Sequence, residues 1–176
     1  MAAGIGRTRE MPHDPVDGLP MSPMSTPLDP HVIQRFLELV VSQLRATVGV
    51  EAVILALGGD AAATTGSLAV TLEFRGDVRG PVTWVFPQPI ALELVSRLMA
   101  DPAPDPDLAT DGASELANIL TGHASAALET HGLHCEFGAP CVHEGSLPGG
   151  TAFRMTTSAG PIDVIFSMRS DRAVAS

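Results

Sequence analysis

The stretch from Asp111 to Leu128, DGASELANILTGHASAAL, constrains the fold of this chain most, because its apolar residues recur with the period of an α-helix. Residues three and four positions apart lie on the same helix face. One face is apolar and is predicted to pack on the core: Leu116, Leu120, Ala124, Ala127 and Leu128. The opposite face forms a polar stripe: Asp111, Glu115, Asn118, Gly122, Ser125 and Glu129. Such a helix needs a layer of structure on its apolar side and leaves the polar stripe open.

Two residues of the polar stripe are poor choices for the interior of a helix. The amide of Asn118 competes for backbone hydrogen bonds, and Gly122 costs about 1 kcal/mol relative to alanine. Local helix stability therefore does not explain these residues, and a function is one explanation. The alternative is that an exposed Glu and Asn are ordinary solvent-facing residues, which the helical pattern by itself does not exclude.

Helical and strand-like segments follow in the order helix, three strands, two helices and three strands. Asp29 and Pro30 are typical of a helix start, and Gly49 is typical of a helix end. This order predicts the α+β class, with a six-stranded, largely antiparallel sheet covered by helices on one side. The predicted strands are 51–57, 67–74, 80–86, 134–142, 151–157 and 161–169, and the two other helices are 29–48 and 90–99.

Length and composition predict a single domain flanked by two tails. The chain has 176 residues, of which 45% are hydrophobic, so one sizeable core is expected. Prolines without periodicity predict a disordered tail over residues 1–28. The domain would then cover residues 29–169, and a loose tail would cover 170–176.

Charge and hydropathy argue against several classes of function. The net charge is −10 with only ten basic residues, which argues against binding to nucleic acid or to an anionic membrane. No apolar run approaches the roughly 18 residues that a membrane-spanning helix needs. The first residues also lack the apolar segment of a secretory signal. We therefore expect a soluble, cytoplasmic protein.

Histidines and cysteines are concentrated in one segment: His131, His134, Cys135, Cys141 and His143. These residue types can bind zinc, but the segment lacks a CxxC pair. If the predicted strand 134–142 is continuous, Cys135, Cys141 and His143 share one face of it, and the two thiols lie about 20 Å apart. We therefore expect buried thiols, exposed imidazoles and no resident metal, with a metal site as the alternative.

The polar stripe resembles the signature helix of the CheC/CheX/FliY phosphatases, which hydrolyse the aspartyl phosphate of the chemotaxis response regulator CheY. The family pattern is Asp or Ser, then Glu, Asn and Gly at helical spacing, followed by a proline beyond the helix. This chain supplies Asp111, Glu115, Asn118 and Pro140, with the gap between Asn118 and Pro140 one residue short. Gly122 follows Asn118 by four residues, and the apolar Leu128 follows six residues later. The order of helices and strands from about residue 28 to 169 is also similar to that of CheX.

The resemblance is closer to CheX than to CheC, because CheC-type members carry a second Glu-x-x-Asn helix. In the equivalent helix of this chain, Ser96 stands where an Asn would follow Glu93. A single-site protein of the CheX type is therefore expected. The resemblance also implies a homodimer that forms through sheet edges.

The resemblance implies an enzyme that hydrolyses the aspartyl phosphate of a CheY-like receiver domain. Asn118 would orient the attacking water, and Glu115 would pair with the receiver's lysine. Asp111, Gly122 and Ser125 are the other expected contacts with the partner, and glycine at position 122 would let the receiver approach closely. The receiver would bring Mg²⁺, so this chain is expected to hold no cofactor itself. The alternative is a non-catalytic module that binds a receiver domain or a flagellar motor component.

Overall fold

The computed structural model describes residues 26–55, 66–101, 105, 108–143, 147 and 149–171. Across these residues, three helices cover one face of an antiparallel sheet, which confirms the predicted α+β class. In chain order the elements are β1 (Thr26–Pro27), α1 (Pro30–Val48), β2 (Ala52–Leu55), β3 (Ser67–Gly76), β4 (Val78–Pro87), α2 (Gln88–Met99), α3 (Leu108–Thr130), β5 (Cys135–Phe137), β6 (Cys141–His143), β7 (Thr151–Thr157), β8 (Gly160–Phe166) and β9 (Arg169–Ser170).

Neighbouring strands run antiparallel throughout the described sheet. The strands connect in the order β1-β9-β4-β8-β7-β2. β8 and β9 pair with successive parts of one side of β4, and β3 pairs with its other side. β5 and β6 follow one another along the outer side of β3. The described sheet therefore has β5 and β6 at one edge and β2 at the opposite edge.

Nine strands are described where six were predicted, because two predicted strands are divided and β1 is an additional strand. The predicted strand 161–169 is interrupted at residues 167–168, which separates β8 from β9. β9 pairs with the additional strand β1. The predicted strand 134–142 is divided into β5 and β6. The other predicted strands are present with small shifts at their ends, and residues 56–57 lie outside the described residues.

Capping residues fix the ends of α1 as the sequence predicts. The Asp29 carboxylate accepts a hydrogen bond from the His31 backbone N–H (2.7 Å), and Pro30 lies in the first turn. Gly49 ends the helix in the left-handed conformation, at φ +65°. One face of α1 is buried: Val32, Phe36, Leu37, Val40, Leu44 and Val48. α1 packs against α3 and β2.

The two faces of the sheet differ in how they are covered. The face under the helices carries the main core: Val70, Leu72, Phe74, Val82, Trp84 and Phe86. The opposite face carries Thr71 and Thr83, whose hydroxyl oxygens lie 2.7 Å apart. The helices thus lie on one side of the sheet, as predicted.

α3 is the central helix of the layer, since it packs against α1, α2 and β3. The crossing with α2 is close at Gly112. A Cβ atom on Gly112 would lie 2.5 Å from Cγ1 of Val95, a fully buried side chain. The absence of a side chain at Gly112 therefore allows the two helices to approach.

One extra residue interrupts the sheet edge between β5 and β6. Phe137 pairs with Phe74 and Cys141 pairs with Thr71, so three intervening residues on the edge oppose two on β3. This is the arrangement of a β-bulge, and Pro140, which has no backbone N–H, lies in it. The bulge shifts the alternation of side chains beyond it by one position.

The ends of the domain extend slightly beyond the predicted limits. Residues 1–25 of the predicted N-terminal tail lie outside the described residues. Its last three residues are part of the fold, since Thr26 and Pro27 pair with β9 and Leu28 is buried. Ser170 is buried in β9, and residues 172–176 lie outside the described residues. None of the described helices combines the length and the apolar character needed to span a membrane.

Candidate functional site

A buried hydrogen bond fixes which way α3 faces. The indole N–H of Trp84 donates to the hydroxyl of Thr121 (3.0 Å), and both side chains are fully buried. The five predicted core residues of α3 are also buried: Leu116, Leu120, Ala124, Ala127 and Leu128. Because this face of α3 is held against the sheet, the polar stripe faces outward.

The polar stripe is accessible at the positions predicted to carry the chemistry. Asp111 and Glu115 are exposed, and Asn118 is half-buried, one turn beyond Glu115. Within the described part of the chain, no hydrogen bond or ion pair engages the Glu115 carboxylate or the Asn118 carboxamide. Both groups are therefore available to a partner molecule, and the carboxamide can donate and accept hydrogen bonds at the same time.

Gly122 leaves space on the polar stripe. It is exposed, and a Cβ atom placed there would have Cζ of Phe137 as its nearest neighbour, at 3.6 Å. Alanine would fit at this position, so packing within the chain does not explain the glycine. The Ser125 hydroxyl donates a hydrogen bond to the Gly122 carbonyl (2.7 Å). The predicted partner contact at Ser125 is thus bonded to its own helix and keeps only its acceptor capacity.

Two apolar residues of the sheet edge lie beside the polar stripe and were not predicted as site residues. Phe137 is half-buried next to Gly122, and its ring centroid lies 5.4 Å from that of Phe74. Val142 pairs with Val70 and is 37% exposed. Both side chains project from the helix-covered face. Alternation along a continuous strand would put residues five apart on opposite faces, so only the bulge brings them together.

The predicted His and Cys cluster is divided between the two faces of the sheet. Cys135 packs against the helix-side core, whereas Cys141 and His143 line a groove of about 430 Å³ on the opposite face. The prediction that these three residues share a face is wrong, because the bulge shifts the alternation. Cys141 is also exposed, contrary to the prediction of buried thiols. Among the described residues, no three His, Cys, Asp or Glu side chains converge as metal ligands would.

The environment of Cys135 makes its thiol unreactive. Its pKa is raised to about 11, mainly by burial and further by the negative charges of Glu129 and Asp77. The thiol therefore remains protonated at neutral pH and is a poor nucleophile. α3 also packs against β5.

One family of known proteins matches the part of the chain that carries this candidate site. The family described as chemotaxis phosphatase CheX matches residues 68–151. These residues include the whole polar stripe as well as β5 and β6. No functionally curated protein is significantly similar to the chain.

Solved structures of chemotaxis proteins share the fold. CheX from Desulfovibrio desulfuricans has 19% identity and a TM-score of 0.65, over 76% of this chain and 96% of that chain. A CheC-like superfamily protein from Shewanella sp. PV-4 has 20% identity and a TM-score of 0.64, over 81% and 98% of the two chains. A chain of the CheX–CheY–BeF₃–Mg²⁺ complex from Borrelia burgdorferi has 18% identity and a TM-score of 0.57, over 79% and 96%.

The class of the protein follows from the fold and the family match together: it has the fold of the CheC and CheX chemotaxis proteins. Since the matched family is CheX, the predicted resemblance to CheX-type members of the CheC/CheX/FliY family is confirmed. The polar stripe of α3 lies within the matched residues, so the candidate site belongs to the part of the chain that matches the family.

Proposed function

We propose that this protein hydrolyses the aspartyl phosphate of a CheY-like receiver domain, with the polar stripe of α3 as its docking and catalytic surface. The observation that carries the proposal is the pair Glu115 and Asn118, which lie one turn apart on a helix whose orientation is fixed. The match to the chemotaxis phosphatase family CheX supports the proposal. The fold shared with a chain of a CheX–CheY complex also supports it.

Asn118 orients the attacking water in this proposal. The phosphorylated receiver, with its Mg²⁺, is the substrate, and hydrolysis requires a water in line with the breaking P–O bond. The water oxygen forms a bond to phosphorus as the bond to the aspartyl oxygen breaks, which leaves the receiver carboxylate and inorganic phosphate. A carboxamide suits this position, because it accepts a hydrogen bond from the water and donates one without adding charge.

Phosphate release from a phosphorylated receiver tests the role of Asn118. Asn118→Ala is expected to slow release by about 10²-fold or more, or about 3 kcal/mol, as does the loss of one preorganised polar group in other active sites. Binding to a beryllofluoride-activated receiver should change by no more than about twofold. Gln88→Ala removes an exposed amide at the start of α2 and is the control that keeps full activity. Release by Asn118→Ala at the wild-type rate would refute the assignment.

Glu115 pairs with a lysine of the receiver in this proposal, and the composition of the chain makes the pairing testable. All ten basic residues are arginine, so the chain contains no lysine. A carbodiimide joins carboxylates to amines without a spacer. The receiver's carboxylates therefore find no lysine to react with on this chain. A crosslink to a receiver lysine uses one of this chain's carboxylates.

We expect carbodiimide treatment of the complex to join Glu115 to a receiver lysine. Glu115→Gln should remove that crosslink and weaken binding, because the pair is a charge-assisted contact. Glu93→Gln, an exposed position on α2, should leave the crosslink in place. Identification of a different acidic residue at the crosslink in the wild-type protein would contradict the pairing.

A non-catalytic module that binds a receiver domain or a motor component is the alternative function. It predicts that the chain binds the activated receiver and leaves the rate of phosphate release at that of the receiver alone. The two measurements described for Asn118 therefore separate the alternatives, since only a phosphatase accelerates release.

We also propose that two copies of the chain pair through a sheet edge, as the resemblance to CheX implies. β2 ends the described sheet opposite β5 and β6, and its Val53 and Leu55 are 64% and 45% exposed. Exposed large apolar side chains on an edge strand support contact with a second copy. Sedimentation should show a wild-type dimer and a Leu55→Asp monomer. A monomeric wild-type protein at high concentration would contradict this proposal.

A further inference from the structure

We propose that Phe137 and Val142 form an apolar ledge beside the polar stripe, and that the receiver domain docks on this ledge as well as on α3. The inference rests on the proposed function and adds to it the surface that supplies much of the affinity. The apolar ledge consists of these two side chains, on the helix-covered face of the sheet edge.

The apolar ledge is continuous with the polar stripe. Phe137 lies next to Gly122, and Leu133, two residues before Cys135, donates its backbone N–H to the Leu128 carbonyl at the end of α3 (3.0 Å). The edge strands therefore run opposite to α3, and β6 continues from β5 toward the N-terminal half of the helix. The β3 partners of Phe137 and Val142 are four positions apart, which corresponds to about 13 Å.

Asn118 lies alongside this ledge. It precedes Gly122 by four residues, or about 6 Å along the helix axis. Because Phe137 is level with Gly122, Asn118 falls between the levels of Phe137 and Val142. A receiver that presents its phosphoryl group to Asn118 therefore covers the ledge at the same time.

The bulge decides how a partner can contact this edge. Pro140 supplies no backbone N–H, and the extra residue breaks the regular row of backbone groups, so the edge is a poor template for an added strand. A partner therefore contacts this edge through side chains. Val142 is one of five large hydrophobic residues exposed in the described part of the chain. The other four lie on β2 or at the ends of α2 and α3: Val53, Leu55, Met99 and Leu108.

The polar stripe alone is too small for specific docking. From Asp111 to Ser125 it is about 20 Å long, and at a width of about 10 Å it covers about 200 Å². A specific interface buries about 800 Å² on each partner. Hydrogen bonds to the partner largely replace hydrogen bonds to water, whereas desolvated apolar anchors dominate affinity. The partner that fits is a receiver whose surface beside the phosphorylated aspartate is apolar.

Val142→Ser tests the ledge, because Val142 is exposed and its replacement leaves the core intact. We expect the KM for the phosphorylated receiver and the Kd for the beryllofluoride-activated receiver each to rise about fivefold or more. The kcat should stay within about twofold of wild type. Met99→Ser also replaces an exposed apolar side chain with serine, at the end of α2 and away from both proposed contact surfaces, and should change neither constant. Asn118→Ala should give the reverse pattern, a lower kcat with an unchanged Kd.

Amide hydrogen exchange in the full chain gives a second readout that needs no substitution. Addition of the activated receiver should slow exchange in residues 137–143 as well as in α3. The ledge is refuted and the proposed function stands if three results occur together. Val142→Ser leaves Kd and KM unchanged, the activated receiver does not slow exchange in residues 137–143, and Asn118→Ala abolishes turnover. If the wild-type chain neither binds nor dephosphorylates the activated receiver, both are refuted.

Discussion

Replacement of Gly122 by alanine is expected to make the protein more stable and less active. Alanine is favoured over glycine inside a helix by about 1 kcal/mol. The added Cβ atom would lie 3.6 Å from Cζ of Phe137, an ordinary van der Waals distance, so packing does not oppose the change. For a domain of this size, a gain of about 1 kcal/mol raises the Tm by about 3–5 °C.

Under the proposed function, the expected loss of activity comes from the receiver domain, which has to approach this surface. The methyl group of Gly122→Ala would stand where the partner reaches the helix backbone, one turn from Asn118. A displacement of about 1 Å between reacting groups can cost about 10²-fold in rate. We therefore expect phosphate release to fall by about tenfold to a hundredfold, measured below the Tm of both proteins.

Gly132→Ala is the matched control for this prediction. Gly132 follows α3 at φ +70°, where a side chain costs about 1–2 kcal/mol, and it lies beyond the polar stripe. This variant should lose stability and keep its activity per folded molecule. A stabilised and fully active Gly122→Ala protein would refute close approach of the receiver at this point. A lower Tm for Gly122→Ala would instead refute the space inferred at the helix surface.

Four further predictions concern packing and the two thiols. Gly112→Ala should lower the free energy of unfolding, measured in urea, by about 1–2 kcal/mol, because the new Cβ would crowd Val95. Adding Val95→Ala should recover part of this loss, and no recovery would show that the crowding is absent. Trp84→Phe should cost about 1–2 kcal/mol through its lost buried hydrogen bond, and an unchanged unfolding midpoint would show that this bond contributes nothing net. A thiol reagent at pH 8 should label Cys141 first. The Cys135 thiol is half-buried and its pKa is raised to about 11, so almost none of it is thiolate at that pH, whereas Cys141 is exposed to the reagent. Because the folded state holds the Cys135 proton more tightly than the unfolded state, stability should fall as pH rises from about 9 to about 11, and Cys135→Ala should remove that slope.

The elements with strong local signals could be predicted from the sequence. Capping by Asp29 and termination at Gly49 are local events, so the ends of α1 agree with the prediction. The two faces of α3 follow from its periodicity, and the predicted core residues are all buried. The outward direction of Glu115 and Asn118 was therefore accessible to sequence reasoning. Their chemical roles remain predictions that the proposed experiments address.

The sheet edge could not be predicted, because its geometry depends on pairing and not on local preference. The bulge around Pro140 is visible only when β5 and β6 are aligned with β3. Alternation along a continuous strand placed Cys135 on the same face as Cys141 and gave no reason to associate Phe137 with Val142. The two-residue strands β1 and β9 are too short to carry a periodic signal at all.

Under the proposed function, the hydrogen bond between Trp84 and Thr121 ties catalysis to the interior of the domain. Side chains on a helix end about 6 Å from its axis, so a roll of only about 10° would move the end of Asn118 by about 1 Å. A hydrogen bond inside the domain thus determines the position of the Asn118 side chain on its surface. A lesion at Trp84 would leave every exposed group of the stripe chemically intact and still spoil its alignment with the phosphoryl group.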